Sequence, residues 1–152
     1  MKKTIATIGY QSATVASFLD ALRAADVKLL VDVRAVAMSR RPGFAKSALT
    51  ANLRDAGIDY LHLRKLGTPA DGRAAARAGD HAGMKRIFLE QLATDDAQAE
   101  LHILAELAKQ ERRLCLLCFE ANPEHCHRRI VAEALRKLVP INVLDLAPDV
   151  EE

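Results

Sequence analysis

The stretch LCLLCFEANPEHCHRRIVAEALRKL, residues 114–138, decides the fold and holds the densest group of reactive side chains in the chain. Its apolar start, Leu114 to Phe119, is typical of a buried β-strand. Asn122-Pro123 then indicates a turn or the start of a helix, and apolar residues recur at helical spacing from Cys126 to Leu138. A buried strand followed by an amphipathic helix predicts an α/β fold, in which sites lie at the carboxyl ends of the strands.

The candidate catalytic residues of this stretch either follow the strand or begin the helix. Cys118 and Glu120 fall at the end of the strand, whereas Cys126 and His127 lie one turn before the apolar face of the helix and are expected to point inward. Cys118 is a candidate nucleophile because neighbouring Arg and His side chains favour a thiolate, and His127 is a candidate acid or base. Glu120 adds a carboxylate to the same set. The spacing of these four residues indicates a site but does not specify its reaction.

The composition is that of one ordinary domain. The 152 residues are 50% hydrophobic, which suits one core, and we predict a single domain over residues 1–152. No apolar stretch approaches the about 18 residues of a membrane span, and the basic start lacks a signal peptide's cleavage region, so a cytoplasmic protein without membrane contact is expected. Three cysteines, an odd number without framework spacing, argue against structural disulfides, and Cys115 is expected to be a small buried hydrophobe.

Strand-like and helix-like segments alternate along the whole chain. Near-continuous apolar strands separated by helices predict a mostly parallel sheet that helices cover on both faces, hence a single three-layer α/β domain. Residues 64–83 contain several glycines and no sustained period, so we predict a long loop that acts as a lid. The predicted strands are Ile5–Ile8, Leu29–Val33, Ile58–Leu63, Leu114–Phe119 and Ile141–Leu146, and the predicted helices lie near 15–22, 48–56, 84–93, 96–109 and 126–138.

Polar residues that follow the strands should converge, because parallel strands end at the same edge of a sheet. Arg34, Arg40 and Arg128 are candidate anion ligands, since a guanidinium matches phosphate or carboxylate with two parallel hydrogen bonds. The N-terminus of the last helix would favour negative charge beside them. Ser39 and Tyr10 complete the predicted substrate-binding set.

A metal site is an alternative use of the cysteine cluster. Cys118, Cys126 and His127 could supply three ligands of a zinc or iron ion. The spacing lacks the short Cys-x2-Cys or His-x3-His pairs of recognised zinc sites, so we predict no metal cofactor. A phosphatase loop is also disfavoured, because it requires Arg six positions after the nucleophile, where this chain has Glu124. In a third, structural interpretation the thiols are merely buried and Asp32, otherwise a candidate catalytic acid, is paired with an arginine.

The motifs Asp32-Val33-Arg34 and Cys118-Phe119-Glu120, followed by Cys126-His127-Arg128-Arg129, are unusually specific in combination. Together with four other segments, these motifs resemble the DUF488 family of uncharacterised proteins over almost the whole chain. Tyr10 stands where many members have His, and Ala37 where a Pro is common. The resemblance implies a cytoplasmic α/β domain with a site built from these motifs, and it implies no particular reaction. The other matching segments are Thr7-Ile8-Gly9-Tyr10, Ser39-Arg40-Arg41-Pro42-Gly43-Phe44, Gly57-Ile58-Asp59-Tyr60 and Leu66-Gly67.

The charge of the chain narrows the class of ligand. With 22 basic and 20 acidic residues the net charge is only +2, so the chain as a whole lacks the basic character of a nucleic-acid binder. The clustered arginines still indicate an anionic ligand. We predict an anion-binding crevice of enzymatic use, acting on a phosphate-bearing nucleotide or nucleic acid through Cys, Glu, His and Arg side chains. The alternatives are a non-catalytic nucleotide or nucleic-acid binding module and a Cys/His metal-binding protein, and the oligomeric state is left open.

Overall fold

The centre of the protein is a parallel β-sheet, seen in a computed structural model that describes residues 2–149. Its strands are β1 (Lys3–Gly9), β2 (Val27–Asp32), β3 (Asp59–His62), β4 (Arg113–Cys118) and β5 (Ile141–Leu146). Within the described range they form one sheet in the order β3-β2-β4-β1-β5, and every neighbouring pair is parallel. All five predicted strands are therefore confirmed. The inner strands β1, β2 and β4 are apolar runs that are mostly buried on both faces, as suits a parallel sheet, whereas the edge strands β3 and β5 are partly exposed.

Helices cover both faces of this sheet. They are α1 (Val15–Ala24), α2 (Lys46–Asp55), α3 (Ala70–Arg77), α4 (His81–Leu92), α5 (Asp95–Ala108) and α6 (His127–Arg136). Phe18 of α1 and Leu53 of α2 are buried in the core on one face, whereas Phe88 of α4 and Val131 of α6 are buried on the other. This arrangement confirms the predicted three-layer α/β fold. No helix between residues 2 and 149 has both the length and the apolar character needed to cross a membrane.

The region predicted as a long loop, residues 64–83, contains regular structure, so the loop prediction is wrong, whereas its role as a lid stays a prediction. A 3-10 turn spans Arg64–Leu66, and α3 follows it. The alanines of α3 favour a helix strongly enough to outweigh Gly72, which the fold needs because a side chain there would crowd Thr68. Gly79 ends the segment at a φ of 79° that favours glycine, and Asp80 then caps α4.

The neighbouring strands β1 and β4 define the functional edge of the sheet. The connection after β1 leads to β2 on one side, whereas the connection after β4 leads to β5 on the other side, which opens a crevice between their carboxyl ends. Two hydrogen bonds join the segments beyond them: the Gln11 backbone N–H donates to the Phe119 carbonyl at 2.9 Å, and the Ala121 N–H donates to the Gln11 Oε1 at 3.0 Å. Gly9 is required here, because a side chain would collide with the Glu120 carbonyl.

Candidate functional site

A cavity of about 370 Å³ lies at this edge of the sheet. Buried residues that follow β4 form its inner wall, while α3 and the segment after β2 form its outer walls. Two predicted site residues, Asp32 and Arg128, lie behind the wall rather than on it. The cavity brings together seven of the predicted site residues: Tyr10, Arg34, Ser39, Arg40, Cys118, Glu120 and His127.

Cys118 and Cys126 line the inner wall and are joined by a disulfide. The expectation of no structural disulfide from the odd cysteine count is therefore wrong, because the count says nothing about which two thiols meet in space. Their Cα atoms lie 7.4 Å apart, and eight positions separate them in the sequence. Cys115 is free and fully buried, and burial raises the pKa of its thiol, which makes it unreactive.

Arg128 is completely buried behind the sulfur of Cys118. Its Nη1 donates to Cys118 Sγ at 3.3 Å and to the carbonyl of Glu120. Its Nη2 donates to the carbonyl of Ala121 at 3.2 Å, and its Nε donates to the hydroxyl of Thr7 at 3.1 Å. Arg128 thus fixes the segment after β4 and directs one donor at the thiol, which explains why it does not reach the cavity.

The positive charge of Arg128 has no carboxylate partner among residues 2–149. A carboxylate lies one hydroxyl away, since Thr7 donates in turn to Asp145 of β5. Burial lowers the pKa of Arg128, although a guanidinium stays protonated in proteins. A buried cation in contact with a sulfur favours the thiolate of Cys118 whenever the disulfide is open.

His127 is held as a neutral imidazole with a defined orientation. Its Nε2 lies 2.6 Å from the carbonyl of Val33 and must carry the proton, because a carbonyl only accepts. Its Nδ1 therefore presents a lone pair, 3.8 Å from the Sγ of Cys126. Burial, reinforced by the charge of Arg128, lowers the pKa of His127 to about 4 despite the opposing bond to Val33. At neutral pH, Nδ1 carries a lone pair that can accept a hydrogen bond from a thiol or bind a metal ion.

Asp32 is a buried partner of Arg34 rather than part of the cavity wall. Its carboxylate accepts from Arg34 Nε at 2.9 Å and from Nη2 at 2.8 Å, and it also accepts from the hydroxyl of Tyr60 at 2.5 Å. Burial and the bond to Asp32 raise the pKa of Tyr60. These contacts match the structural interpretation of Asp32, one of the two that the sequence left open.

Arg34 lines the cavity but uses most of its donors within the protein. Besides the two bonds to Asp32, its Nη1 donates to the hydroxyl of Tyr10 at 3.2 Å and to the carbonyl of Phe44 at 2.8 Å. Burial acts to lower the pKa of Arg34, but Asp32 outweighs it and the pKa is raised. Tyr10 is itself fixed by stacking on Phe44, with ring centroids 4.6 Å apart. Arg34 therefore shapes the wall more than it offers donors to a ligand.

Three other arginines give the outer wall its charge. Arg40, Arg73 and Arg77 line the cavity, and in the described part of the chain none has a carboxylate partner. Arg73 donates to the carbonyl of Thr68 at 2.9 Å, which leaves most of its N–H groups for a ligand. Sequence reasoning missed Arg73 and Arg77 as site residues because their segment was predicted as a loop. Their spacing of four would have placed them on one helix face.

The mouth of the cavity is apolar. Val36, Met38 and Phe119 line it and are 46%, 76% and 42% exposed, respectively. Large apolar side chains exposed beside a charged cavity are typical of ligand-binding surfaces. A ligand that combines an anionic group with a flat apolar group would contact both parts of this cavity.

When the disulfide is open, the inner wall also offers donors whose chemistry suits a metal ion. The ligand atoms of Cys118, Cys126 and His127 lie within 4.8 Å of one another, and two thiolates with one imidazole form a known zinc ligand set that keeps a position open. The bond from His127 Nε2 to Val33 is the type of outer contact that orients a metal-binding histidine. The prediction of no metal cofactor stays a prediction.

The family of the chain follows from comparison with known proteins. The DUF488 family, described as a domain of unknown function, matches residues 14–135. The chain belongs to the DUF488 family. No curated protein and no solved structure matches it. The matched range contains Arg34, Cys118 and His127 of the cavity wall, whereas Tyr10 of that wall precedes it.

Proposed function

We propose that the cavity is the active site of an enzyme that acts on a phosphate-bearing nucleotide, with Cys118 as its nucleophile. The observation that carries the proposal is the 3.3 Å contact between Cys118 Sγ and the buried guanidinium of Arg128, which has no carboxylate partner within residues 2–149. A thiolate is the reactive form of cysteine, and a fixed cation beside it allows that form at neutral pH. His127 and Glu120 lie on the same wall and supply a proton acceptor and a carboxylate.

The walls of the cavity support an anionic substrate. Arg40, Arg73 and Arg77 approach from two different segments, and guanidinium groups bind phosphate with paired hydrogen bonds. No acidic side chain competes with the ligand for these groups in the described residues, apart from Glu120 on the opposite side near Cys118. A phosphate held by these arginines would lie close to the nucleophile.

The dimensions and the apolar mouth favour a nucleotide over a nucleic acid. A cavity of about 370 Å³ falls in the range of small-molecule sites. Phe119 at the mouth offers an aromatic ring on which a base can stack, and Met38 offers a flexible apolar contact. Since the net charge is only +2, the chain lacks the extended basic surface that a polymeric backbone requires.

The experiment compares adenosine monophosphate with adenosine as protecting ligands. Reduced protein is alkylated with iodoacetamide, and modification of Cys118 is followed by peptide mass spectrometry. We expect the monophosphate to slow the reaction and adenosine to have a much weaker effect. Arg73→Ala and Arg77→Ala should reduce the protection several-fold, because each removes a charge-assisted donor. Arg86→Ala is the matched control, since Arg86 is an exposed arginine of the neighbouring helix α4 outside the cavity.

Two results would count against the proposal. Equal protection by adenosine and its monophosphate would mean that the arginines do not bind phosphate. Alkylation of Cys118 at the rate of an ordinary exposed thiol would mean that Arg128 does not activate it, and the cavity would then lack a nucleophile.

A zinc-binding site is the second candidate, favoured by the three ligand atoms that lie within 4.8 Å of one another. If it exists, protein purified without tags or chelators contains about one equivalent of zinc or iron, and a chelator lowers its melting temperature. Metal-free protein that keeps the same melting temperature in a chelator excludes this candidate. The same measurement therefore decides between a thiolate that attacks a substrate and a thiolate that binds an ion.

A further inference from the structure

We propose that Cys126 is the resolving thiol of Cys118, so that the site reduces a disulfide whose thiol part carries negative charge. The inference rests on the proposed function for Cys118 as nucleophile and for the arginines as anion ligands, and it adds the reaction class. It starts from the observation that the sulfurs of Cys118 and Cys126 are joined at the inner wall of the cavity. A bond at that place is the expected product of such a reaction.

The two thiols have different surroundings, which assigns a role to each. Cys118 contacts the guanidinium of Arg128, which favours its thiolate form and hence makes it the attacking sulfur. Cys126 instead has the neutral Nδ1 of His127 at 3.8 Å, which can accept a hydrogen bond from its S–H group and so favours the protonated thiol. The two sulfurs lie side by side at the cavity wall, so a mixed disulfide on Cys118 reacts with Cys126 before it meets a thiol from solution.

The reaction balances as two successive exchanges. The Cys118 thiolate attacks one sulfur of the substrate disulfide, forming a mixed disulfide and releasing the first half as a thiolate. Cys126 gives its proton to the first departing thiolate and attacks Cys118 Sγ, which forms the Cys118–Cys126 bond and releases the second half as a thiolate. The substrate gains two electrons, the cysteine pair loses two, and a low-molecular-weight thiol then reduces the pair.

The substrate class follows from the rest of the cavity. Arg73 and Arg77 on the outer wall, which have no carboxylate partner in the described residues, favour an anionic group, and the exposed Phe119 at the mouth accommodates a flat apolar group. An aromatic or nucleotide-bearing disulfide with phosphate or carboxylate satisfies both requirements. A neutral disulfide of the same size satisfies only the apolar one.

The test uses two aromatic disulfides, the dianionic dithiobis(nitrobenzoate) and the neutral dithiodipyridine, with reduced, desalted protein. We expect wild-type protein to release about two molecules of coloured thiol per chain and to end as the internal disulfide without an adduct. Cys126→Ser should release about one molecule and retain the adduct on Cys118, identified by peptide mass. Cys115→Ala is the matched control and should behave as wild type, because Cys115 is buried elsewhere.

The arginines are tested with the same reagents. Arg73→Ala and Arg77→Ala should slow the reaction with the dianionic disulfide about tenfold, the effect of losing one charge-assisted bond. Their reaction with the neutral disulfide should stay within about twofold of wild type, since its approach involves no ion pair.

The failure of this inference differs from the failure of the proposed function. If wild-type protein keeps a stable adduct on Cys118, Cys126 is not a resolving thiol, yet a fast reaction at Cys118 with selectivity for the anionic reagent would leave the proposed function in place. If Cys118 in Cys126→Ser reacts no faster than an ordinary exposed thiol, Cys118 is not activated, and both proposals are refuted.

Discussion

The site contains two buried arginines, Arg34 and Arg128, whose electrostatic surroundings are opposite. Arg34 follows strand β2, and Arg128 lies in α6, the helix after β4. Arg34 forms a double hydrogen bond with the carboxylate of Asp32, so its charge is neutralised where it lies. Arg128 contacts carbonyl groups, one hydroxyl and the sulfur of Cys118, with no direct carboxylate partner in the described chain. A paired cation stabilises the wall, whereas an unpaired cation favours an anion on the group beside it.

This difference locates the chemistry at β4 rather than at β2. The group that Arg128 can ionise is the thiol of Cys118, which lines the cavity. Arg34 instead binds Asp32, which does not line the cavity. Both motifs suggested a reactive group in the sequence, and only the contacts of the two guanidinium groups distinguish them.

Removing the partner of Arg34 should have the largest effect on stability. Asp32→Asn leaves a buried guanidinium without its carboxylate, and we expect a loss of about 3–5 kcal/mol in the free energy of unfolding, measured by urea titration. Asp59→Asn is the control, because Asp59 pairs with Arg112 at the surface, where an ion pair contributes less than about 1 kcal/mol. Equal losses for the two variants would contradict the assignment of Asp32 as a structural partner.

The next effect concerns His127, which lies between the two regions. Its pKa of about 4 in the folded state is below the about 6.5 of an unfolded chain, so the unfolded state binds the extra proton between these values. The free energy of unfolding should therefore fall as the pH drops from about 6.5 to about 4, by up to about 3 kcal/mol from this group. Above about pH 6.5, the full contribution of His127 to the free energy of unfolding is present.

The measurement of this pH dependence is urea unfolding of the parent and His127→Asn across the same pH range. Carboxylates also titrate there, so the difference between the two proteins isolates the imidazole. We expect the variant to be less stable at neutral pH and to lose less on acidification. His102→Asn is the control, since that histidine is exposed on α5 and should leave the slope unchanged. Parallel curves for parent and His127→Asn would refute a neutral, buried His127.

A smaller effect distinguishes the two arginines directly. Arg128→Lys removes the planar donor that contacts Cys118 but keeps a positive charge, and we expect alkylation of Cys118 at neutral pH to slow about tenfold, about 1.4 kcal/mol of activation free energy. Arg34→Lys disturbs the other pair and should leave that rate within about twofold. The comparison fails if Arg34→Lys slows Cys118 as much as Arg128→Lys does. Circular dichroism establishes that both variants are folded before their rates are compared.

The sequence predicted the fold better than it predicted the partners within the site. Apolar runs such as Leu114 to Leu117 specify buried strands, and parallel strands bring their carboxyl ends to one edge, so convergence of Tyr10, Arg34 and Cys118 follows from local patterns. The direction of the Arg128 guanidinium does not follow from local patterns. Arg128 comes directly after His127, which lines the cavity, but its side chain turns toward Thr7. The pairing of Cys118 with Cys126 likewise depends on how α6 packs against β4.

Residues 64–83 show the limit of predictions from local helix propensity. Gly72 and Gly79 made residues 64–83 resemble a loop, but Gly72 serves close packing against Thr68 within α3. Tertiary contacts thus outweighed the low helix propensity of the glycines in this segment. The error hid Arg73 and Arg77, which the structure places on the cavity wall.

The smallest expected effect tests whether the outer wall, rather than the two buried arginines, binds the anion. Phosphate that binds only the folded protein raises its melting temperature by mass action, and we expect a shift of a few degrees at concentrations well above the dissociation constant. Phosphate also stabilises proteins by exclusion from their surface, so only the difference between variant and parent at equal salt is informative. Arg73→Ala should remove part of the shift, and Arg86→Ala should not. If Arg73→Ala and the parent respond identically while Arg34→Lys loses the response, the anion is bound by the paired region of the site, and the contrast between a structural Arg34 and a ligand-binding outer wall is incorrect.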